Sequence, residues 1–336
     1  MKTIYGIQYL RAAAALAVVF SHAAEKTGYH FAIGAAGVDI FFVISGFIMW
    51  VIAHDREPTP GRFLADRIRR IVPIYWVATG VMIVGGLAGL FPNLQLTVQH
   101  ILASLFFVPM HSPSNGEIWP VLVQGWTLNF EMFFYLVFAV SLLLPRASRL
   151  LAVGLFFVLV VVLGAVFDPQ NAVLATFTRP IVLEFVAGML VGQAWIKGKV
   201  PPPAFGIALV FIAIAGFSWI AFLRLPFDET VCGPLAVALV VGLLSLEADG
   251  LIGRWKFPAF LGNASYSIYL WHTFAISVVA KVGGHLGLAP PLTFAGAAAC
   301  GTILGMAAYL LLERPLVRFG KRAPASAHLM HSREQA

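Results

Sequence analysis

The chain has 336 residues, of which 60% are hydrophobic and only 11% are charged, and its mean hydropathy is +0.88. A soluble domain carries roughly 25% charged residues, so this composition excludes an ordinary water-soluble protein and makes lipid the expected solvent. The net charge of +7 comes from basic residues between apolar runs, which indicates membrane topology and not nucleic-acid binding. The two cysteines, Cys232 and Cys300, allow neither a disulfide framework nor a zinc site.

Apolar segments long enough to cross a bilayer recur along the chain. A spanning helix needs about 20 mostly apolar residues, and the pattern predicts an all-α, polytopic membrane helix bundle of about ten transmembrane helices. The predicted spans are 7–24, 35–53, 72–91, 126–144, 150–167, 180–196, 204–223, 232–247, 266–284 and 293–312. The first segment could instead be a cleavable signal peptide, which would leave one span fewer and fit the charge pattern less well.

The distribution of Lys and Arg predicts that both termini are cytoplasmic. With the N-terminus inside, 17 of the 22 Lys and Arg residues fall in inside segments, three fall outside and two lie within spans. This asymmetry follows the positive-inside rule. Residues 1–322 then form one membrane domain, and the polar, basic segment 323–336 is predicted to be a disordered cytoplasmic tail.

Two connections between spans stand out. The basic inner loop 53–73 is expected to enter the third span through a short amphipathic helix. The outer segment 92–125 contains neither Lys nor Arg, and its apolar run "ILASLFFVPM" is short for a span. We expect this run to be re-entrant or interfacial.

The first span carries an arginine and a histidine. Ionisable side chains inside spans are costly and usually face a cavity or a partner. Arg11 and His22 return to nearly the same helical face, about 16 Å apart along the axis. Arg11 is then near the cytoplasmic side and His22 is toward the outer side. The alternatives are that Arg11 reaches the lipid phosphates and that His22 lies at the outer interface.

The second and fourth spans carry carboxylates toward the predicted depth of His22. Asp39 stands near the outer end of the second span, with Ser45 deeper in the same helix. A carboxylate beside an imidazole fixes its tautomer and stabilises its cation. Glu131 belongs to a polar stripe that recurs every four residues in the fourth span. The alternatives are a helix cap for Asp39 and an interfacial position for Glu131.

The ninth span places Tyr269 and His272 on one face. For His272 the favoured interpretation is a structural, interhelical role. Three spans nevertheless direct histidine or carboxylate groups toward one depth, which predicts a site between helices that opens to a water-filled cavity. A proton-coupled transporter would use the same residue types.

The third span begins with a basic stretch, "RFLADRIRRIVPIYW". Arg67 and Arg70 are three residues apart on one helical face, which is suited to gripping a phosphorylated cofactor through bidentate bonds. Arg62 and Arg69 are expected to serve only as positive-inside anchors.

These features together match a known family. The chain resembles the acyltransferase-3 type of integral membrane acyltransferases, most closely the branch that O-acetylates exopolysaccharides. The resemblance runs in order through nearly the whole chain. It rests on the pair Arg11/His22, "GVDIFFVISGF", Arg67-x-x-Arg70 before "IVPIYW", "WTLNFEMFFY", "LGNASYSIYLWH" and the closing "ERP" at 313–315.

The resemblance implies an O-acetyltransferase of the bacterial inner membrane, with no cofactor or metal bound. Acetyl-CoA would be the acyl donor and would bind from the cytoplasm, with its phosphates at Arg67 and Arg70. The acceptor would be a hydroxyl of an extracytoplasmic or lipid-linked glycan. The expected partners are the donor, the glycan, the lipid bilayer and polysaccharide synthesis machinery, without nucleic acid.

The same resemblance implies roles for the residues in the spans. His22 would act as general base toward the glycan hydroxyl or would carry the acyl group itself. Asp39 or Glu131 would orient its imidazole, and Arg11 would steady the donor. The alternative function is a transporter or flippase for a polysaccharide or lipid-linked sugar intermediate. A membrane scaffold within a synthesis complex is a third possibility.

Overall fold

The apolar runs form helices throughout residues 3–322, the part of the chain that the computed structural model describes. A helix satisfies the hydrogen bonds of its own backbone, which a bilayer core requires. The all-α prediction is confirmed for these residues. Their α-helices are α1 Tyr5–Thr27, α2 Gly37–Arg56, α3 Pro60–Leu87, α4 Val98–Leu105, α5 Trp126–Ser141, α6 Arg146–Phe167, α7 Ala172–Phe177, α8 Leu183–Ile196, α9 Pro203–Phe222, α10 Glu229–Ala248, α11 Lys256–His285, α12 Pro290–Ala308 and α13 Arg314–Arg322.

Local sequence explains where several helices begin and end. Pro60 occupies the start of α3, where its missing N–H has no intrahelical acceptor to lose. α3 then continues without a break through Pro73 to Leu87, so the expected separate amphipathic helix is the first part of α3 itself. A π-helical turn, Tyr309–Glu313, joins α12 to α13. Side chains cap four helices by accepting backbone N–H groups: Thr59, Thr97, Asn171 and Asp228.

Each of the ten predicted spans coincides with a helix of the described chain. Seven helical segments are long and apolar enough to cross a membrane, within α1, α2, α3, α6, α9, α10 and α12. α5 and α8 have 16 and 14 residues, or about 24 and 21 Å of a hydrocarbon core of about 30 Å. The chain is therefore a multi-pass membrane protein. The count of ten and the cytoplasmic termini stay predictions, and the tail 323–336 lies outside the described residues.

The bundle is held together where small residues let helices touch. α1 packs along α11, α11 along α12, and α2 along α8. A Cβ atom at Gly46 of α2 would lie 2.0 Å from the carbonyl oxygen of Phe185, and one at Gly188 of α8 would lie 2.0 Å from that of Val43. Only glycine permits this approach. α6 and α9 bury few side chains and form the periphery.

The outer segment between α3 and α5 folds onto the second half of α3. α4 is eight residues long, and the Tyr75 hydroxyl donates to the carbonyl of Ser104 at its end, at 3.0 Å. The Ser104 hydroxyl in turn accepts from the backbone N–H of Val121 at 2.9 Å. The apolar run of this segment therefore does not cross the bilayer as a helix.

Candidate functional site

An internal cavity of about 100 Å³ collects polar side chains from α1, α2, α3, α5 and α11. Between these polar groups the walls are aliphatic and aromatic. Six of the residues singled out in the sequence meet here: Arg11, Ser45, Arg67, Arg70, Glu131 and Tyr269. Thr127, Tyr135, Ser265 and Tyr266 complete the polar lining.

Three arginines give the cavity its positive charge. Arg11 is 9% exposed, and Arg67 and Arg70 are half-buried, whereas Arg62 and Arg69 on the other faces of α3 are exposed. The spacing thus correctly separates the arginines that face inward from those that face outward. The Arg67 guanidinium lies 6.0 Å from the centroid of the Phe63 ring. Its Nε atom has no hydrogen-bond acceptor within residues 3–322, which leaves a donor free for a ligand.

Carboxylates balance part of this charge. The Tyr135 hydroxyl donates to Glu131, and the Ser45 hydroxyl lies 3.4 Å from the same carboxylate oxygen. Glu313, from the π-helical turn, accepts a hydrogen bond from Ser267 at 2.6 Å and lies within Coulombic range of Arg11. Glu131 in the lining and Glu313 nearby therefore oppose three guanidinium groups, and an excess of positive charge remains for an anionic ligand.

Arg67 also lines a second pocket, of about 480 Å³, at the surface. This pocket lies between the end of α2 and the start of α3, and charged side chains surround it, among them Glu57, Arg62 and Asp66. Arg67 belongs to both spaces and therefore lies where they adjoin.

His22 does not line this cavity. Its Nδ1 atom lies 3.3 Å from a carboxylate oxygen of Glu25, three residues further along α1. Its ring centroid lies 5.2 Å from that of His272. The predicted contact of His22 with Asp39 or Glu131 is not formed, and this expectation was wrong. The reason is the rotation of the helices, because α5 turns Glu131 toward the arginines and α2 turns Asp39 toward α8.

Tyr269 lines the cavity and lies beside His272. Its ring centroid lies 6.2 Å from that of His272. Its hydroxyl donates to the carbonyl of Gln124 at 3.2 Å and accepts from the Thr127 hydroxyl at 3.1 Å. The candidate residues therefore form two groups, an arginine-lined cavity and a histidine pair, and Tyr269 is next to both.

Asp39 forms a third group with a residue that the sequence analysis missed. It is fully buried, and its carboxyl group interacts with that of Glu184 on α8. None of the four carboxyl oxygens has a hydrogen-bond partner within residues 3–322, and two carboxyl groups can bond each other when one of them carries a proton. The N-cap of α2 is Ala36, which excludes the capping alternative for Asp39. Glu184 lies inside a predicted span, so the criterion that selected Asp39 would also have selected it.

Comparison with known proteins gives consistent matches. Residues 4–311 match the family model described as an acyltransferase domain of the acyltransferase-3 type. The chain is 62% identical over 308 residues to the exopolysaccharide production protein ExoZ of Rhizobium meliloti. This match covers 92% of this chain and 97% of that protein. It is 28% identical to BcsY of Komagataeibacter xylinus, a protein named as a membrane-bound transacylase. That match covers 96% of this chain and 85% of that one. No solved structure matches the chain.

Proposed function

Since the chain belongs to the acyltransferase-3 family of membrane acyltransferases, we propose that it moves an acetyl group from cytoplasmic acetyl-CoA to a hydroxyl of an exported or lipid-linked glycan. Acyl transfer onto polysaccharide agrees with the name of the 62% identical relative, an exopolysaccharide production protein. The bacterial inner membrane is the proposed location, because the donor is made in the cytoplasm and the polymer is exported.

The observation that carries this proposal is the cluster of Arg11, Arg67 and Arg70 that lines the cavity. Guanidinium groups bind phosphate oxygens through paired, charge-assisted hydrogen bonds. The free Nε donor of Arg67 and the adjoining surface pocket suit the phosphates of an acyl-CoA that enters beside the start of α3. Transport of an uncharged polysaccharide gives no comparable reason for this cluster.

His22 is the proposed base of the reaction. The hydroxyl oxygen of the glycan attacks the thioester carbonyl, its proton passes to His22, and the carbon–sulfur bond breaks with its electron pair moving to sulfur. The proton then leaves His22 for the coenzyme A thiolate. An acyl group carried briefly on the imidazole would balance in the same way. Arg11 is proposed to hold the donor from the cytoplasmic side.

The test compares acyl groups on surface polysaccharide from wild type, a deletion strain and His22→Ala. We expect His22→Ala to lower acylation at least about 100-fold, the usual contribution of a general base, while the protein still inserts. His30→Ala is the matched control, because His30 is an exposed histidine of the loop that follows α1. Normal acylation by His22→Ala would refute the catalytic assignment. Loss of exported glycan with acylation intact would favour a transporter.

The donor site is tested in membranes with acetyl-CoA and an acceptor glycan. Arg67→Ala and Arg70→Ala should each raise the KM for acetyl-CoA about tenfold or more, because each removes a charge-assisted bond. Arg69→Ala removes an equal charge from an exposed position on the same helix and should leave KM unchanged. An equal effect of all three variants would show that only the general positive charge matters.

A further inference from the structure

The surface pocket between the end of α2 and the start of α3 is large enough for a small molecule. Its volume is about 480 Å³, within the range of about 300–1,000 Å³ that small-molecule sites occupy. Three arginines line it, Arg56, Arg62 and Arg67, together with the carboxylates of Glu57 and Asp66. Because Arg67 also lines the internal cavity, a ligand in this pocket can contact the same arginine as a ligand in the cavity.

The charges that line the pocket do not cancel. Arg146, at the start of α6, forms an ion pair with Glu57, so that carboxylate is already matched from outside the pocket. Asp66 forms no ion pair with an arginine among residues 3–322. Three guanidinium charges less the single charge of Asp66 leave two positive charges. A phosphate monoester carries about −1.5 to −2 charges at pH 7, which matches this surplus.

One donor of the pocket lacks a partner. The Nε atom of Arg67 is buried and has no hydrogen-bond acceptor within residues 3–322. A buried donor without an acceptor costs free energy, and a bound phosphate oxygen would remove that cost. Arg62 precedes Arg67 by five residues, or about 7.5 Å along the axis of α3. Arg62 and Arg67 can therefore contact two different phosphate groups of one ligand.

We propose that this pocket binds the phosphoadenosine end of the acyl donor, and that Arg56 and Arg62 bind its 3′-phosphate. This inference rests on the proposed function, since it concerns the same acetyl-CoA. Coenzyme A has a diphosphate bridge within its chain and a phosphate monoester on the 3′-hydroxyl of its ribose. Arg67 takes the diphosphate at the border of the cavity, and the pantetheine arm runs inward from there. Arg62, which its spacing marked only as a membrane anchor, thereby takes part in recognition.

The headgroup of an anionic lipid would offer this pocket a similar phosphate. Two observations favour the donor. The pocket shares Arg67 with the cavity, so a ligand here can extend to the arginines inside. Ile52 and Phe63 also add apolar surface to its lining, on which a flat base can lie with a guanidinium plane against its other face.

The test compares acetyl-CoA with acetyl-dephospho-CoA, which lacks only the 3′-phosphate, in membranes that contain the protein and an acceptor glycan. In wild type we expect the KM for acetyl-dephospho-CoA to be about tenfold higher with kcat unchanged, because only binding is lost. Arg56→Ala and Arg62→Ala should each raise the KM for acetyl-CoA about three- to tenfold, since solvent screens these exposed charges. Each should change the KM for acetyl-dephospho-CoA less than about twofold, because the phosphate that these arginines bind is already absent.

Two further arginines of α3 serve as matched controls. Arg69 is exposed on the same helix and does not line the pocket, so Arg69→Ala should change the KM for neither donor. Arg67→Ala should raise the KM for both donors by the same factor, because both contain the diphosphate.

Equal KM values for the two donors in wild type would overturn this inference, and acetyl transfer from both would leave the proposed function standing. That comparison needs no variant, so it decides the matter even where a variant fails to fold. An equal rise for both donors in Arg62→Ala would assign this arginine to lipid headgroups or to the general surface charge, which also overturns the inference. If wild-type membranes use neither donor although the protein acylates polysaccharide in cells, the proposed donor is wrong and this inference fails with it.

Discussion

At the scale of single residues, the pair of Asp39 and Glu184 is governed by burial. An ionised carboxylate without a partner in an apolar interior costs several kcal/mol. One proton shared between the two groups would remove most of that cost and would join α2 to α8 by a hydrogen bond. Arg179 is the positive charge near this pair. It forms an ion pair with Glu229 at 2.8 Å, so its charge is already balanced.

We therefore predict that neutral isosteres are tolerated at this pair. Asp39→Asn and Glu184→Gln should each keep acyl transfer within about threefold of wild type, because an amide donates to the remaining carboxylate as a protonated acid does. Asp39→Ala removes the partner altogether and should lower the free energy of unfolding by roughly 1–3 kcal/mol. Acyl transfer and thermal unfolding in detergent are the measurements.

A different result would restore the role expected from the sequence. If Asp39→Asn abolishes acyl transfer while its unfolding temperature is unchanged, Asp39 acts in the chemistry and not only in joining helices. Glu184→Gln serves as the matched variant, since it alters the other half of the same pair.

Residue spacing predicted the cavity better than it predicted the pairs. Arg67 and Arg70 share a helical face, and which face a residue occupies is a local property of α3 that a sequence reveals. The partners of His22 and Asp39 depend on how α1 and α2 are rotated and tilted against α11 and α8. Those angles result from packing between distant segments, and no single helix specifies them.

At the scale of helices, the α2–α8 crossing fixes the central wall of the bundle. Gly188 and Gly192 are four residues apart on α8, the spacing that lets membrane helices approach closely. The Trp50 indole donates to Gln193 at 2.9 Å near the same crossing. Ser45 and Asp39 lie on the helix that this contact orients, one toward the cavity and the other toward α8.

We predict that a single methyl group at this crossing is harmful. Gly46→Ala forces a carbon atom to 2.0 Å from the Phe185 carbonyl oxygen, so the helices must separate, at a cost of roughly 1–3 kcal/mol. Gly80→Ala in α3 is the control, because a Cβ atom there has nothing within 4 Å. Thermal unfolding in detergent should show a lower midpoint for Gly46→Ala alone. Equal midpoints would mean that the two helices are not in contact in the membrane.

At the scale of the whole molecule, hydropathy located every long helix but did not establish how many of them cross the membrane. Among the helices that coincide with predicted spans, α5, α8 and α11 are not in the set of seven long apolar segments, and they carry Glu131, Glu184, Tyr269 and His272. Polar residues or short length weaken the hydropathy signal of these helices, because that signal depends on how apolar and how long a segment is. Their place in the bundle follows from tertiary packing.

The predicted topology can be tested by labelling cysteines from one side of the membrane. With the N-terminus inside, Asn115→Cys in the exposed outer segment should react with an impermeant maleimide in intact cells. Lys199→Cys, in the exposed loop between α8 and α9, should react only after the membrane is opened. The reverse pattern would invert the molecule and place the arginine-lined cavity beside the exported glycan.

The hydrogen-bonded layer of Tyr269, Thr127 and Gln124 also bears on the ion gradients of the cell. A permanent channel wide enough for an acyl donor arm would conduct water and protons, and it would dissipate the voltage that the membrane maintains. The buried Tyr269 ring lies beside both the arginine-lined cavity and His272, where it would help to close such a channel. An enzyme built in this way can pass a small organic group outward and still insulate, provided that the layer parts only around the substrate that fills it.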